Sequence, residues 1–403
     1  MSYPLKNGIK AELAIALVIA SVTSGLLWAG TIDELAEKAN DAHSRGDYDA
    51  AISSWNNILR IDPKLAQAYY NRGLAYAEKG DLGRAIVDYG KALELKPDYA
   101  NAYKRRGYSY YKNGELDKAI KDLSEAVQLN PTDGEGYYDR ANAYQSKGDW
   151  DEAINDYSKA IRLNPEIGEA YFGRGNAYRH KADWDKAIAD WSEAIKRNSK
   201  IPQVFTYRGL AFDARGESGK AITDFIRAIE QDPNDAVAYY NRGRIYEVRG
   251  DSDKAIGDYT EALRLDPTNA SAYAGRASAY VKKEQFDKAI DDFEDAIRLN
   301  PKDSASYNEL AWLLSTCPST LLRNGNRAVD AAKKACELTG WKVRQCLGTL
   351  AAAFAEAGHF EQAIEYQKQA LSMSGATESE HVEGQRRLSL FQQRKSYQEK
   401  PIH

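Results

Sequence analysis

Proline recurs on one 34-residue register, at Pro63, Pro97, Pro131, Pro165, Pro233, Pro267 and Pro301, with only Ser199 interrupting the series. A core built once cannot impose that spacing, so the chain must be an array of like units, and this period points to paired helices. Two alanine columns keep the same register: Ala51, Ala85, Ala119, Ala153, Ala187, Ala221, Ala255 and Ala289, then Ala92, Ala126, Ala160, Ala194, Ala228, Ala262 and Ala296. The length of 403 residues agrees, because one compact core stops growing well short of it.

Each column has a steric reason. Tyr69, Gly73 and Tyr76 fall at i, i+4 and i+7 on one face of a first helix, and Ala85, Tyr89 and Ala92 do the same on a second. Gly80 sits between them and supplies the positive φ that a tight connection needs. Gly46, Gly114, Gly148, Gly216 and Gly250 repeat it, whereas Ala182 and Glu284 stand at that place in two units. Gly73, Gly107, Gly175, Gly209 and Gly243 leave room for close helix approach, and the aromatic columns fill the volume beside them. Copying one such motif explains why 27 Tyr accompany only 9 Phe and 2 Met. The proline then ends the second helix and resets the chain.

Arginines form another column, at Arg72, Arg106, Arg140, Arg174, Arg208, Arg242 and Arg276, matched by Asp88, Asp122, Asp156, Asp190, Asp224, Asp258 and Asp292. Members of a pair lie eight residues either side of the turn centre, as Arg72 and Asp88 do around Gly80, so antiparallel helices bring them face to face. The two columns begin and end in the same units, since the first unit has Lys38 with Ser54 and the ninth has Leu310. The arginines are therefore expected to be ties inside each hairpin rather than a phosphate site. Exposed, each would contribute a few tenths to about 1 kcal/mol, with register as its main effect.

The string AYYNRGLAYAEKGDLGRAIVDYGKALELKPD, Ala68 to Asp98, resembles the tetratricopeptide-repeat family, and the likeness runs from residue 32 to about residue 377. The resemblance implies an all-α fold, a right-handed superhelical solenoid of about ten helical hairpins closed by a C-terminal capping helix. Eight regular units would occupy 31–303 and two atypical ones 304–377, the ninth with a loop insertion around Cys317 to Asn326, before a capping helix and tail over 378–403. The ninth unit's NELAWLLSTCPSTLLRNGNRAVDAAKKACELTGW is similar to the C-terminal module of many bacterial members.

Columns that the fold does not dictate are free to recognise a ligand. Three lie on the first helix of each unit: one begins Tyr70, Lys104, Tyr138, Phe172, Thr206 and Tyr240, a second Asn71, Arg105, Asp139, Gly173, Tyr207 and Asn241, and a third Leu74, Tyr108, Asn142 and Asn176. The family resemblance places this helix on the concave groove, where these side chains would grip an extended peptide or a helix. Tyr70, Tyr138, Phe172 and Tyr240 offer aromatic area at little entropic cost, and Asn40, Asn71, Asn142, Asn176 and Asn241 can meet both the donor and the acceptor of a peptide backbone. Lys104 and Arg105 add charge; the plainer alternative is that the rings only pack between helices. Some family members clamp a terminal carboxylate with Lys, Asn and Arg, and the matching places are Ala36, Asn40, Asn71, Asn101 and Arg105. With Ala36 and Asn101 where lysines would stand, a full clamp is not expected.

Other functions are weakly served. The net charge of −4 gives no reason to expect nucleic acid. No G-x-x-x-x-G-K-S/T loop, H-E-x-x-H helix or G-x-S-x-G elbow occurs, and His43, His180, His359, His381 and His403 are scattered, so neither enzyme nor cofactor is expected. Cys317, Cys336 and Cys346 lack metal-ligand spacing and read as buried thiols, with one disulfide open to them in an oxidising compartment. Lys6 and Lys10, the apolar run Leu13–Ala29 and then Asp33 and Glu34 have the layout of a signal peptide or single membrane anchor over residues 1–30, which would place the repeats outside the cytoplasm. The expected function is a scaffold for protein or peptide partners in the cell envelope, with a chaperone-like assembly factor or a glycan-binding module as alternatives.

Overall fold

The second helix of a unit stops two residues before its register proline, because the residue preceding proline is driven out of the helical region. Asp62, before Pro63, shows the geometry: it is extended at φ −128° and ψ 96°, and its N–H closes the last turn on Ile58. In the computed structural model, which describes residues 30–197, 201 and 203–398, this device acts after seven helices. Where Ser199 replaces proline the helix ends at Lys196.

The described residues form 21 helices and no strand, in two compact units that divide after Ile201. The first holds α1 (residues 30–44), α2 (Tyr48–Ile61), α3 (Ala66–Glu78), α4 (Leu82–Leu95), α5 (Ala100–Lys112), α6 (Leu116–Leu129), α7 (Gly134–Lys147), α8 (Trp150–Leu163), α9 (Gly168–His180) and α10 (Trp184–Lys196). The second holds α11 (Gln203–Ala214), α12 (Ser218–Gln231), α13 (Ala236–Val248), α14 (Ser252–Leu265), α15 (Ala270–Lys282), α16 (Phe286–Leu299), α17 (Ser304–Thr316), α18 (Gly325–Leu338), α19 (Arg344–Glu356), α20 (Phe360–Ser372) and α21 (Glu378–Gln392). Consecutive helices pair as hairpins, each second helix within a unit packs on the next first helix, and first helices of successive hairpins also touch. The architecture is thus an all-α solenoid within each unit. The apolar run Leu13–Ala29 lies outside the described residues, among which no helix is long and apolar enough to cross a membrane.

Packing follows the small-against-large rule. A Cβ on Gly73 would lie 2.7 Å from the Tyr89 ring, and one on Gly107 would lie 2.7 Å from Leu123 Cγ. Tyr89, Leu123, Tyr157, Trp191, Phe225, Tyr259 and Phe293 fill this column and are all buried. The hairpin turn keeps its left-handed residue even without glycine, since Ala182 and Glu284 adopt φ of 58° and 55°. Towards the C-terminus the core becomes broadly aliphatic, with Leu310, Leu314, Leu350, Phe354 and Phe391 in one cluster. Cys317, Cys336 and Cys346 are buried thiols in no disulfide, the last two within this cluster, and burial pushes the Cys336 thiol up to about 12, well away from a reactive thiolate.

Candidate functional site

All seven Arg–Asp ties form, each guanidinium donating through Nε and Nη2 to both oxygens of its own hairpin's aspartate at 2.6–2.9 Å. The small contribution of an exposed pair does not apply to them, because the carboxylates are only 2–7 % exposed. At Asp190, desolvation outweighs Arg174 and holds the carboxyl above its ordinary range. Each guanidinium also lies 5.5–6.0 Å from one or two aromatic rings of its own helix. The guanidinium groups also reach back to the preceding hairpin, as Arg72 does to Asn56, Arg140 to Ser124, Arg174 to Ser158 and Arg276 to Thr260. That link was readable in the sequence as a polar residue sixteen positions before the arginine. The column is consumed by structure, and recognition must lie elsewhere.

In the first unit the candidate face runs along α3, α5, α7 and α9. Tyr70 is half-buried, its ring 5.9 Å from Tyr89 and 4.9 Å from Tyr99, with Arg105 of the next hairpin close by. Asn71 accepts from Gln67, which in turn accepts from the Tyr99 hydroxyl, whereas Asn40 is exposed on α1. Lys104 is 8 % exposed and its ammonium bridges Asp133 and Glu135 of the next hairpin at 2.8 and 2.7 Å. It is therefore a tie between hairpins before it is a ligand contact. Asp139 completes this cluster: burial, with Glu135 adding to it, pushes its carboxyl up to about 7 against the opposing pull of Lys104 and Arg105.

Tyr138 is half-buried, 6.0 Å from Tyr157, whose hydroxyl donates to Asn142 at 2.7 Å. One hairpin later Trp191 stands where Tyr157 stood, and Asn176 keeps a buried Oδ1 with no hydrogen-bond partner. Phe172, one turn earlier on the same helix, is half-buried. The column containing Gly173 is not wholly free, because a Cβ there would fall 2.6 Å from the Tyr157 hydroxyl of the preceding hairpin.

In the second unit Gly275 repeats this arrangement against Tyr259. Tyr240 lies half-buried, 5.9 Å from Tyr259, and Asn241 turns its amide onto the Val237 carbonyl of its own helix. Gln67 is the residue that comparison between repeats overlooks, whereas Asp139 and Gly173 stand in a recognition column whose members turn out to serve the neighbouring hairpin. No group of His, Cys, Asp or Glu among the described residues could hold a metal ion.

A TPR repeat profile matches residues 39–80, 73–114 and 209–250, and tetratricopeptide repeat profiles match 100–133, 138–200, 236–269, 270–303 and 345–377. No curated protein matches the sequence. Among solved structures, the C-terminal part of a TPR repeat-containing protein from Cytophaga hutchinsonii is 21 % identical, covering 59 % of this chain and 98 % of that one with a TM-score of 0.50. MamA is 28 % identical over 43 % of this chain and 94 % of its own, with a TM-score of 0.40. YrrB, described as a TPR protein with an unusual peptide-binding site, is 26 % identical over 46 % of this chain and 96 % of its own, with a TM-score of 0.42.

Proposed function

Because the chain belongs to the tetratricopeptide-repeat family, we propose that it is a non-enzymatic scaffold whose first-helix face in the first unit holds peptide segments or helices of partner proteins. The observation that carries this reading is the unmet Oδ1 of Asn176, one helical turn from the half-buried ring of Phe172. A buried acceptor without a donor is costly in the free protein and is relieved by a peptide N–H, while the rings of Phe172 and Tyr138 supply apolar area. Tyr138→Ser with Phe172→Ser in the full chain should weaken capture of its protein partner about tenfold, a loss of roughly 1.4 kcal/mol, with helical circular dichroism retained. Loss of the helical signal would assign the rings to the core. One or two stoichiometric partners support the scaffold, whereas a broad client set would make it a chaperone.

We further propose that the protein acts in the cell envelope, on the strength of Lys6 and Lys10, the apolar run Leu13–Ala29 and the acidic Asp33 and Glu34. Mass spectrometry of the mature N-terminus together with membrane fractionation tests this; an intact chain confined to the cytosolic fraction would refute it.

A further inference from the structure

The last two hairpins and the final helix enclose a cavity of about 340 Å³, walled by α17, α19, α20 and α21, within the size range of ligand pockets. Two of its wall residues are amides almost cut off from solvent: Asn308 is 5 % exposed and Gln367 2 % exposed. Asn308 donates weakly to Glu309 at 3.4 Å, yet its Oδ1 has no hydrogen-bond partner, and neither has Oε1 of Gln367. Exchanging the oxygen and nitrogen of Asn308 would turn its oxygen towards the Glu309 carboxylate, so the deficit of that amide survives the choice of orientation. Apolar side chains of similar size would fill both positions without it, which means that folding alone does not call for amides here.

The other groups in the cavity narrow the ligand. Arg344 is already paired with Glu380 at 2.9 Å and Arg387 is engaged with the Trp312 and Tyr397 rings, so both guanidinium groups of the wall already have partners. Trp312 is engaged by the Arg387 guanidinium, 5.4 Å from the ring centroid, and by Tyr397 at 5.8 Å, which leaves a poor platform for a sugar ring. The unmet acceptors of the wall are the two amide oxygens. An extended polypeptide supplies N–H and C=O groups at fixed spacing whatever its side chains are, and side-chain amides can pair with both.

We propose that this cavity holds an extended segment of a partner polypeptide, gripped by its main chain through Asn308 and Gln367. The proposal rests on the scaffold reading but requires none of the residues of the first unit's face. Two variants separate it from a structural role. Gly348→Leu fills the cavity, since a Cβ at Gly348 meets only Arg387 Nη1, at 3.6 Å, and leucine favours the helix over glycine. Gln367→Met removes one orphan group while conserving length.

Random dodecapeptides displayed on phage are selected on the full chain, and the enriched peptides are synthesised with a fluorophore for anisotropy titration. At least one should bind both variants tenfold or more weakly than the unmodified chain and bind Tyr138→Ser/Phe172→Ser unchanged. Gln367→Met should melt at or above the unmodified chain's temperature, which also keeps the test alive should Gly348→Leu fail to fold. A lower melting temperature for Gln367→Met would make the amide structural and overturn the proposal. So would enriched peptides that all bind both variants normally and depend on Tyr138 and Phe172, an outcome that leaves the scaffold reading standing. Enrichment of no peptide at all would remove both.

Discussion

In α7 and α8 a buried carboxylate, Asp156, meets a guanidinium that reaches it from Arg140, touches two tyrosine rings and bonds Ser124 of the hairpin before. In α17 the matching register place is Leu310, buried in an aliphatic cluster, and the polar residues nearby, Asn308 and Gln367, keep unmet oxygens. The regular hairpins spend their buried polarity on alignment, because a bidentate pair is satisfied in only one register. The terminal hairpins rely more on apolar packing, with the Arg323–Glu356 pair at 3.3 Å as an ion pair off the repeat register, and Asn308 and Gln367 take part in no such tie.

The sharpest way to break this contrast is to cut one tie. Asp156→Ala leaves Arg140 charged and largely buried, and should destabilise by about 3–5 kcal/mol in urea unfolding followed by circular dichroism. Replacing both partners, Arg140→Met with Asp156→Leu, should fall close to neutral, because the buried pair loses its desolvation cost with its attraction. If Asp156→Ala costs less than about 1 kcal/mol, the ties behave as exposed pairs and the two regions do not differ in kind.

The terminal region should be most vulnerable to shape. A Cβ on Gly325 would lie 2.6 Å from the Ala357 Cα and against its backbone nitrogen, so backbone rather than a flexible side chain would have to move. Gly325→Ala is expected to cost about 2–3 kcal/mol by the same measurement, at the upper end for overpacking. A loss under about 0.5 kcal/mol would show that α18 and α19 can separate without penalty, against the tight aliphatic packing assigned to them.

Position in the repeat decided what could be read from the chain. Pro63, Gly73, Gly80 and the Arg72–Asp88 pair each have a copy 34 residues on, so both period and partner were legible before any coordinates. Lys104, Gly173 and Asn241 stand in columns that the repeat pattern leaves free, yet one joins two hairpins, one makes room for Tyr157 and one bonds its own helix. Those roles come from the adjacent hairpin or a local bond, which comparison between columns does not reveal. Asn308, Gln367 and Gly325 lie in atypical units, where no internal copies exist to mark them as unusual.

Asp139 refines the contrast inside the regular hairpins, because it is a half-buried carboxylate off the arginine column. Its folded-state value of about 7, facing Glu135, Asp133, Lys104 and Arg105, lies above the ordinary aspartate value of about 4. The stability it contributes is therefore fully present below about pH 4 and lost as pH rises through about 7. Asp139→Asn should match the unmodified chain in stability near pH 4 and exceed it above pH 7, by less than the Asp156→Ala effect. A gap independent of pH would show that folding leaves the Asp139 carboxyl at its ordinary value.

The hairpin turn is the device both regions share, since Gly148 and Gly358 adopt φ of 89° and 81° in the regular and terminal parts. Ala182 holds the same left-handed place at φ 58°, exposed, with its N–H bonded to Arg179 and the next N–H to Tyr178 as the turn requires. An L side chain there costs roughly 1–2 kcal/mol, part of which is offset because alanine also restricts the unfolded chain. Ala182→Gly should accordingly stabilise by about 0.5–1 kcal/mol and raise the melting temperature by about 1–4 °C. Gly148→Ala is the reverse control and should destabilise by a similar amount. Because Ala182 is exposed and its hydrogen bonds run through the backbone, an unchanged melting temperature for both variants would mean that the turn relaxes out of the left-handed region. Hairpin closure would then depend on helix packing alone, in regular and terminal parts alike.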